Sequence, residues 1–272
     1  IDTSRSMIAE DVKPNRLEAA KREVVDLIEL LTGDRIGVVT FAGKSFLHCP
    51  LTLDYAMAQT FLRAVDTDVI SVPGTTIDSA IRTSIRAFNP RTSFNRKADP
   101  FIHDGKEVVD VEEKRFRILI LVTDGEDHGT DTLQAAKEAA EQGIVIFTVG
   151  VGTGEGVPIP LYDDGGRQQG YKKDKDGKVI LTRLNARTLE EIARTTGGEY
   201  VRILSGQNEM TKILDAVAAM DKKELEERME QVREDRFQIF LALGLIFVCV
   251  EPLIPDRRIK SRQSSQAGSQ MG

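Results

Sequence analysis

Three short apolar runs constrain the fold of this chain more than any other feature of its sequence. They are rich in β-branched residues and lack polar alternation, which is typical of strands buried on both faces of a sheet. Segments with apolar residues at helical spacing precede and separate them, such as the stretch from Asn15 to Thr32. Because predicted strands and helices alternate, we expect an α/β fold with a mostly parallel, doubly wound sheet and helices on both faces. The three runs are residues 35–41, 117–123 and 144–151.

The chain begins with an Asp-x-Ser-x-Ser pattern formed by Asp2, Ser4 and Ser6. Alternate side chains of an extended segment point to the same side, so these three should face one point. Thr75 lies in a loop before a predicted helix, and Asp124 directly follows the second apolar run. Ligands of open α/β sheets bind beyond the carboxyl ends of the strands. We therefore expect the five side chains to converge at that edge of the sheet.

These five side chains offer hydroxyl and carboxylate oxygens, which are the ligands that hard cations prefer. The pattern predicts a divalent-cation site, with Mg²⁺ preferred and Mn²⁺ or Ca²⁺ as alternatives. Ser4, Ser6 and Thr75 are expected to contact the cation directly, whereas Asp2 and Asp124 act directly or through water. A cation with few carboxylate ligands stays electrophilic and can accept a carboxylate from a partner protein.

The alternative interpretation of the triplet is that its residues only form turns or cap helices, because Ser and Asp are common in turns and at helix N-caps. The triplet alone would not establish a cation site. Its combination with Thr75 after Gly74, and with Asp124 after a buried strand, favours the cation site over turn chemistry.

Residues 237–254 form a second distinctive stretch, because no charge lies between Ile239 and Val250. The stretch has 18 residues, near the minimum length that crosses a bilayer, and basic residues follow it, as on the cytoplasmic side of membrane proteins. We therefore expect a C-terminal transmembrane helix; a buried or partner-binding helix is the alternative. The predicted organisation is a main domain (1–220) outside the cytoplasm, a charged helical linker (221–236), the transmembrane helix (237–254) and a basic, disordered cytoplasmic tail (255–272).

Charge and the N-terminal residues add two expectations. The net charge of −6 argues against nucleic acid as a partner. A buried strand should carry several apolar residues before its ligand end, so we expect the first strand to start upstream of Ile1 and the sequence to be a fragment or to have a wrongly assigned start.

Three segments resemble the metal-ion-dependent adhesion site of the von Willebrand factor type A domain: Ile-Asp-Thr-Ser-Arg-Ser-Met7, Pro-Gly-Thr-Thr-Ile77 and Leu-Val-Thr-Asp-Gly-Glu-Asp127. The sequence is still more similar to the bacterial Bat-type (aerotolerance-related) membrane proteins, as three further segments indicate: Asp-Val-Lys-Pro-Asn-Arg-Leu17, Gly-Glu-Gly-Val-Pro-Ile-Pro160 and residues 237–258. The resemblance covers about residues 1–258.

This resemblance implies a six-stranded, Rossmann-like sheet, with Ser4, Ser6 and Thr75 as metal ligands and Asp2 and Asp124 in supporting roles. It also implies a bacterial inner-membrane location, with a MoxR-type AAA+ ATPase and sibling Bat proteins as partners. Two departures stand out. The N-terminal membrane spans of that family are absent from this sequence, and the polar insertion at 89–114 is longer than expected.

Two functions are consistent with these residues. The first is a non-enzymatic interaction module that binds a partner's Asp or Glu through the cation. The second is a metal-assisted phosphohydrolase, since bound Mg²⁺ can activate water. Candidate acids and bases near the metal are only Asp124, Glu126, Asp127 and His128, and none lies in a known catalytic motif. We therefore favour the interaction module.

Overall fold

All three apolar runs predicted as strands form strands, and two of them, 117–123 and 144–151, lie in the parallel sheet of the main domain. The helices of this computed structural model are α1 (Arg16–Leu30), α2 (Tyr55–Arg63), α3 (Ile77–Phe88), α4 (Thr132–Glu141) and α5 (Ala186–Thr196), and residues 210–220 are also helical. The structure describes residues 1–67, 70, 72, 74–89, 116–163, 165–203 and 210–220.

The strands in the described part of the chain are β1 (Ile36–Phe41), β2 (Ser45–Thr52), β3 (Arg117–Thr123), β4 (Ile144–Val151), β5 (Val157–Pro158), β6 (Pro160–Tyr162), β7 (Gln168–Tyr171), β8 (Leu181–Thr182) and β9 (Tyr200–Ile203). They belong to four small sheets. β3, β4 and β9 pair in parallel, whereas β1–β2, β5–β8 and β6–β7 are antiparallel pairs.

The predicted six-stranded, mostly parallel sheet is wrong. Among the described residues the parallel sheet has three strands, and β1 forms a ladder with β2 in antiparallel orientation. The short connection between those two strands, residues 42–44, explains the orientation, because a parallel crossover needs a dozen residues or more. Residues 1–3 lie between β1 and β3 without forming a regular strand: Asp2 makes a single parallel bridge to Phe41.

The predicted fold class also included a transmembrane helix, and this needs correction as well. Within the described ranges, no helix is both long enough and apolar enough to cross a lipid bilayer. The stretch for which the span was predicted, 237–254, lies outside the described residues. So do the insertion at 90–114, the linker and the tail, and the predicted domain boundaries stay a prediction.

Helices cover both faces of the parallel sheet, as predicted. On one face, Leu17 and Leu27 of α1 pack with Phe147 and Val149 of β4. On the other, α3, α4 and α5 pack against Leu121 of β3 and alternate residues of β4. Alternation along β4 separates the two cores, because successive side chains of a strand point to opposite faces.

Asn15 begins α1, as predicted from the sequence. Its side-chain oxygen accepts a hydrogen bond from the Glu18 N–H at 2.8 Å. We expect Asn15→Ala to lower the free energy of unfolding by about 1 kcal/mol, because the first turn of α1 loses its cap. Urea unfolding would measure this loss. Asn15→Asp keeps an acceptor at the same place and serves as the control; equal losses in both variants would contradict the capping role.

Candidate metal centre

Residues 1–3 lie between the carboxyl ends of β1 and β3. The Asp2 N–H donates to the Val122 carbonyl at 2.9 Å, and the Thr3 N–H donates to the Phe41 carbonyl at 2.8 Å. These main-chain bonds place the start of the Asp-x-Ser-x-Ser pattern at the edge of the sheet where ligands of α/β folds bind. A short 3₁₀ helix, Arg5–Ile8, then turns the chain away from the sheet.

Thr75 is brought to the same edge by main-chain contacts. The next residue, Thr76, donates both its N–H (2.9 Å) and its hydroxyl (3.0 Å) to the Ala42 carbonyl at the end of β1. The Thr75 carbonyl accepts the N–H of His128 at 2.9 Å. The loop before α3 therefore touches both the end of β1 and the loop after β3, and Thr75 itself is buried.

The residues of the triplet contact one another directly. Asp2 Oδ1 accepts the Ser4 N–H at 2.8 Å, and Asp2 Oδ2 accepts the Thr123 hydroxyl at 2.5 Å. The hydroxyl oxygens of Ser4 and Ser6 are 2.8 Å apart. Both carboxylate oxygens of Asp2 are thus occupied by protein donors, while the two serine oxygens face each other.

Asp124 is held from several sides. Its Oδ1 accepts the Glu126 N–H at 3.1 Å, and its Oδ2 accepts a hydrogen bond from Arg16 Nη1 at 3.0 Å. Ser6 lies close enough to lower the pKa of the Asp124 carboxyl. The structure therefore brings Asp2, Ser4, Ser6 and Asp124 together, and main-chain bonds place the Thr75 loop at the same edge.

Burial shifts the protonation of both carboxylates. It raises the pKa of Asp124 to about 7, and the charge of Asp2 adds to the rise, whereas Ser6 and Arg16 lower it. Burial likewise raises the pKa of Asp2, against the hydrogen bonds from Thr123 and Ser4. Both side chains are 0% exposed. Two neighbouring buried carboxylates favour a bound positive charge, which would relieve their repulsion and desolvation.

The donor set suits a hard cation rather than a soft one. No group of three or more His, Cys, Asp and Glu side chains among the described residues is placed to hold a metal ion. The five predicted residues supply two carboxylates and three hydroxyls, so they qualify as a site only if hydroxyl oxygens act as ligands. Mg²⁺ accepts such oxygens and retains several waters.

Three candidate acids or bases from the sequence serve other roles or stand apart. Glu126 Oε1 accepts the Arg183 N–H at 3.0 Å. Asp127 Oδ1 accepts the N–H groups of Ile77 (3.2 Å) and Gly129 (3.0 Å), which fixes the loop to the start of α3. His128 is exposed. The two acidic side chains thus connect loops.

Three residues of the site were not predicted from the sequence. Arg16 is fully buried and bonded to Asp124. Thr123 donates to Asp2, and Thr182 contacts both Arg16 and Asp124. One signal was available: Arg16 lies on the face of α1 that carries the apolar Ala20 and Leu27. A charged residue on an apolar helix face needs a buried partner.

Comparisons with known proteins show which family this chain resembles. A family model described as the von Willebrand factor type A domain matches residues 1–127. The crystal structure of BatB from Bacteroides thetaiotaomicron is 37% identical (TM-score 0.67), and the match covers 81% of this chain and 96% of that one. An aerotolerance-related membrane protein from Bacteroides fragilis is 33% identical (TM-score 0.66), covering 79% of this chain and 94% of that one.

The chain is also similar, at lower sequence identity, to several other proteins. Proximal thread matrix protein 1 from the mussel byssus, described with a zinc-occupied MIDAS motif, shares the fold at 17% identity (TM-score 0.50), covering 81% of this chain and 43% of that one. A UPF0353 protein from Nocardia farcinica is 28% identical over 260 residues, which are 91% of this chain and 68% of that protein. Two further UPF0353 proteins are matched over about half of their length, 53% and 49%.

Proposed function

This chain belongs to the von Willebrand factor type A domain family, and from that premise we propose that it is a non-enzymatic interaction module. It binds an Asp or Glu carboxylate of a partner protein through a divalent cation. Ser4, Ser6 and Thr75 supply the direct oxygen ligands, and Asp2 and Asp124 support them. The bound cation supplies the positive charge that attracts the partner's carboxylate.

One observation carries this proposal: both buried carboxylates already accept hydrogen bonds at each of their oxygens. Asp2 is held by Ser4 and Thr123, and Asp124 by Glu126 and Arg16. In this arrangement the hydroxyl oxygens are left to contact a cation. A cation without direct carboxylate ligands keeps most of its charge, which favours an additional carboxylate from outside.

The preferred cation is Mg²⁺, with Mn²⁺ and Ca²⁺ as alternatives, because the ligand atoms are all hard oxygens. The partner is a protein that presents an exposed carboxylate. The resemblance to Bat-type proteins makes a MoxR-type AAA+ ATPase and sibling Bat proteins the first candidates to test.

We also propose that the protein is located at the bacterial inner membrane, with the domain on its non-cytoplasmic side. The support is the Bacteroides fragilis neighbour, which is described as a membrane protein. Cell fractionation followed by protease treatment of spheroplasts tests this location. Recovery of the protein in the soluble fraction, or protection of the domain from added protease, would contradict it.

Removal of the serine hydroxyls should abolish cation binding. We expect Mn²⁺ and Mg²⁺ to bind the protein saturably in calorimetry, and we expect the Ser4→Ala/Ser6→Ala variant to bind at least about 100-fold more weakly, since it lacks two ligands. Added acetate, as a stand-in for a partner carboxylate, should tighten Mn²⁺ binding in the parent.

The control is Thr60→Ala/Thr195→Ala, which also removes two hydroxyls. Both donate to carbonyls within their own helices, to Ala56 and Glu191 respectively, away from the predicted site. Equal Mn²⁺ affinity in the serine variant and this control would rule out the proposed ligands. No saturable binding by the folded parent would rule out the proposed function.

A further inference from the structure

Arg16 is the most completely buried charged group in contact with the candidate metal centre. Its side chain is 0% exposed and its guanidinium makes four hydrogen bonds. Nε and Nη2 each donate to one oxygen of Asp11 at 2.8 Å. Nη1 donates to Asp124 Oδ2 and to the Thr182 hydroxyl, both at 3.0 Å. The guanidinium thus joins the loop before α1, the end of β3 and strand β8.

Contacts on the side of the guanidinium that faces away from Asp124 fix its position. The two parallel bonds to Asp11 set its plane, and Asp11 is held in turn by the N–H (2.7 Å) and the hydroxyl (3.0 Å) of Thr153. Gly152 packs so closely against the Arg16 guanidinium that a Cβ at position 152 would lie 2.6 Å from Arg16 Nε. The guanidinium therefore has little freedom to move away from Asp124.

Asp11 remains a charged anchor in this setting. Burial alone would raise the pKa of Asp11, but the hydrogen bonds and charge of Arg16 lower it below its usual value. The Arg16 charge is therefore shared between Asp11, which orients it, and Asp124, which receives its remaining N–H. Only a planar group with several donors can serve both carboxylates at once.

Thr182, a residue of β8, also contacts Asp124 Oδ2. Its hydroxyl accepts from Arg16 Nη1 and lies 3.5 Å from Asp124 Oδ2, within reach to donate. It belongs to β8, which pairs with β5, and each of these two strands is only two residues long. The segment around β5 and β8 is thus linked to Asp124 through Thr182 and Arg16.

We propose that Arg16 is a positioning residue of the cation site: held by Asp11 and Gly152, it orients the Asp124 carboxylate, and Thr182 of β8 shares that role. The inference rests on the proposed function, because it assigns to Arg16 a part in that same site. The competing interpretation is a purely structural ion pair that stabilises the fold and leaves the cation unaffected.

Arg16→Lys separates the two interpretations. Lysine keeps the positive charge but cannot bind both oxygens of Asp11 and Asp124 together. We expect Mn²⁺ to bind about 10-fold more weakly, the loss typical of residues that orient metal ligands. We also expect the electron paramagnetic resonance spectrum of bound Mn²⁺ to differ from that of the parent. Arg22→Lys, an exposed position on the same helix, is the matched control and should behave as the parent.

Thr182→Val provides a milder variant in case Arg16→Lys does not fold. It preserves the shape of the side chain and removes only the hydroxyl that contacts Arg16 and Asp124. We expect a smaller loss of Mn²⁺ affinity in the same direction, with a changed Mn²⁺ spectrum. Unfolding curves recorded in EDTA identify variants that are folded without metal.

The outcomes distinguish this inference from the function on which it rests. If the parent binds Mn²⁺ and the folded variants bind it with equal affinity and an unchanged spectrum, Arg16 is structural only and the inference fails while the proposed function stands. If the folded parent binds no Mn²⁺, the proposed function itself fails, and this inference with it.

Discussion

Arg16→Met should lower the free energy of unfolding of the metal-free protein by about 4 kcal/mol, as expected when one partner of a buried ion pair is removed. The substitution leaves the carboxylates of Asp11 and Asp124 without their cation, and their side chains are 4% and 0% exposed. Methionine fills much of the space but satisfies neither carboxylate. Urea unfolding in EDTA, at neutral pH, measures the loss.

The control for this prediction is Arg82→Met. Arg82 also contacts two carboxylates, those of Asp78 and Glu138, but its side chain is one-third exposed. Surface ion pairs contribute little to stability because water and salt screen them. We therefore expect Arg82→Met to lower the free energy of unfolding far less than Arg16→Met does. Similar losses in the two variants would show that burial of the Arg16 ion pairs does not increase their contribution to stability.

Gly125→Ala is the second substitution with a large expected effect, about 3 kcal/mol lost from the free energy of unfolding. Gly125 has a φ of +73°, which a residue with a Cβ rarely adopts. An added Cβ would also lie 2.5 Å from the Asn185 carbonyl and 3.2 Å from Leu189. Relief of this contact requires the loop after Asp124 to move away from α5.

Gly166→Ala isolates the contact from the backbone strain. Gly166 has the same φ of +73°, but no atom lies within 4 Å of an added Cβ. We expect this control to lose only about 1 kcal/mol, the cost of the left-handed conformation. Gly125→Ala should also weaken Mn²⁺ binding, because the Asn185 N–H bonds to the Asp124 carbonyl at 2.8 Å. If Gly125→Ala and Gly166→Ala lowered the free energy of unfolding equally, the loop after Asp124 would have adjusted to the added Cβ without further strain.

The parts of this fold that could be predicted from the sequence are those with strong local signals. The runs 117–123 and 144–151 became β3 and β4 with the expected bounds, since apolar β-branched runs have few alternatives to a buried strand. Asn15 could be recognised as a cap because capping acts over three residues. Asp124 could be placed at the ligand-binding edge of the sheet because it directly follows the carboxyl end of β3.

Long-range partners could not be predicted in the same way. The contact of Arg16 with Asp124 spans 108 positions, and that with Thr182 spans 166. No local pattern announces such a pairing, and only the apolar neighbours of Arg16 on α1 hinted at it. The sheet was overestimated because counting apolar runs does not show which strands pair, and the short connection before β2 decides its direction.

The main chain of residues 1–3 has a consequence for the order in which the protein folds. It bonds to the end of β1 across 38 positions, and Asp2 bonds to Thr123 across 121. Contacts that close such long loops form late, since their entropy must be lost before they contribute. The oxygen cluster is then completed only near the native state, and a cation that binds there would act mainly by slowing unfolding. Occupancy of the site would therefore set the lifetime of the folded domain more than the speed at which it forms.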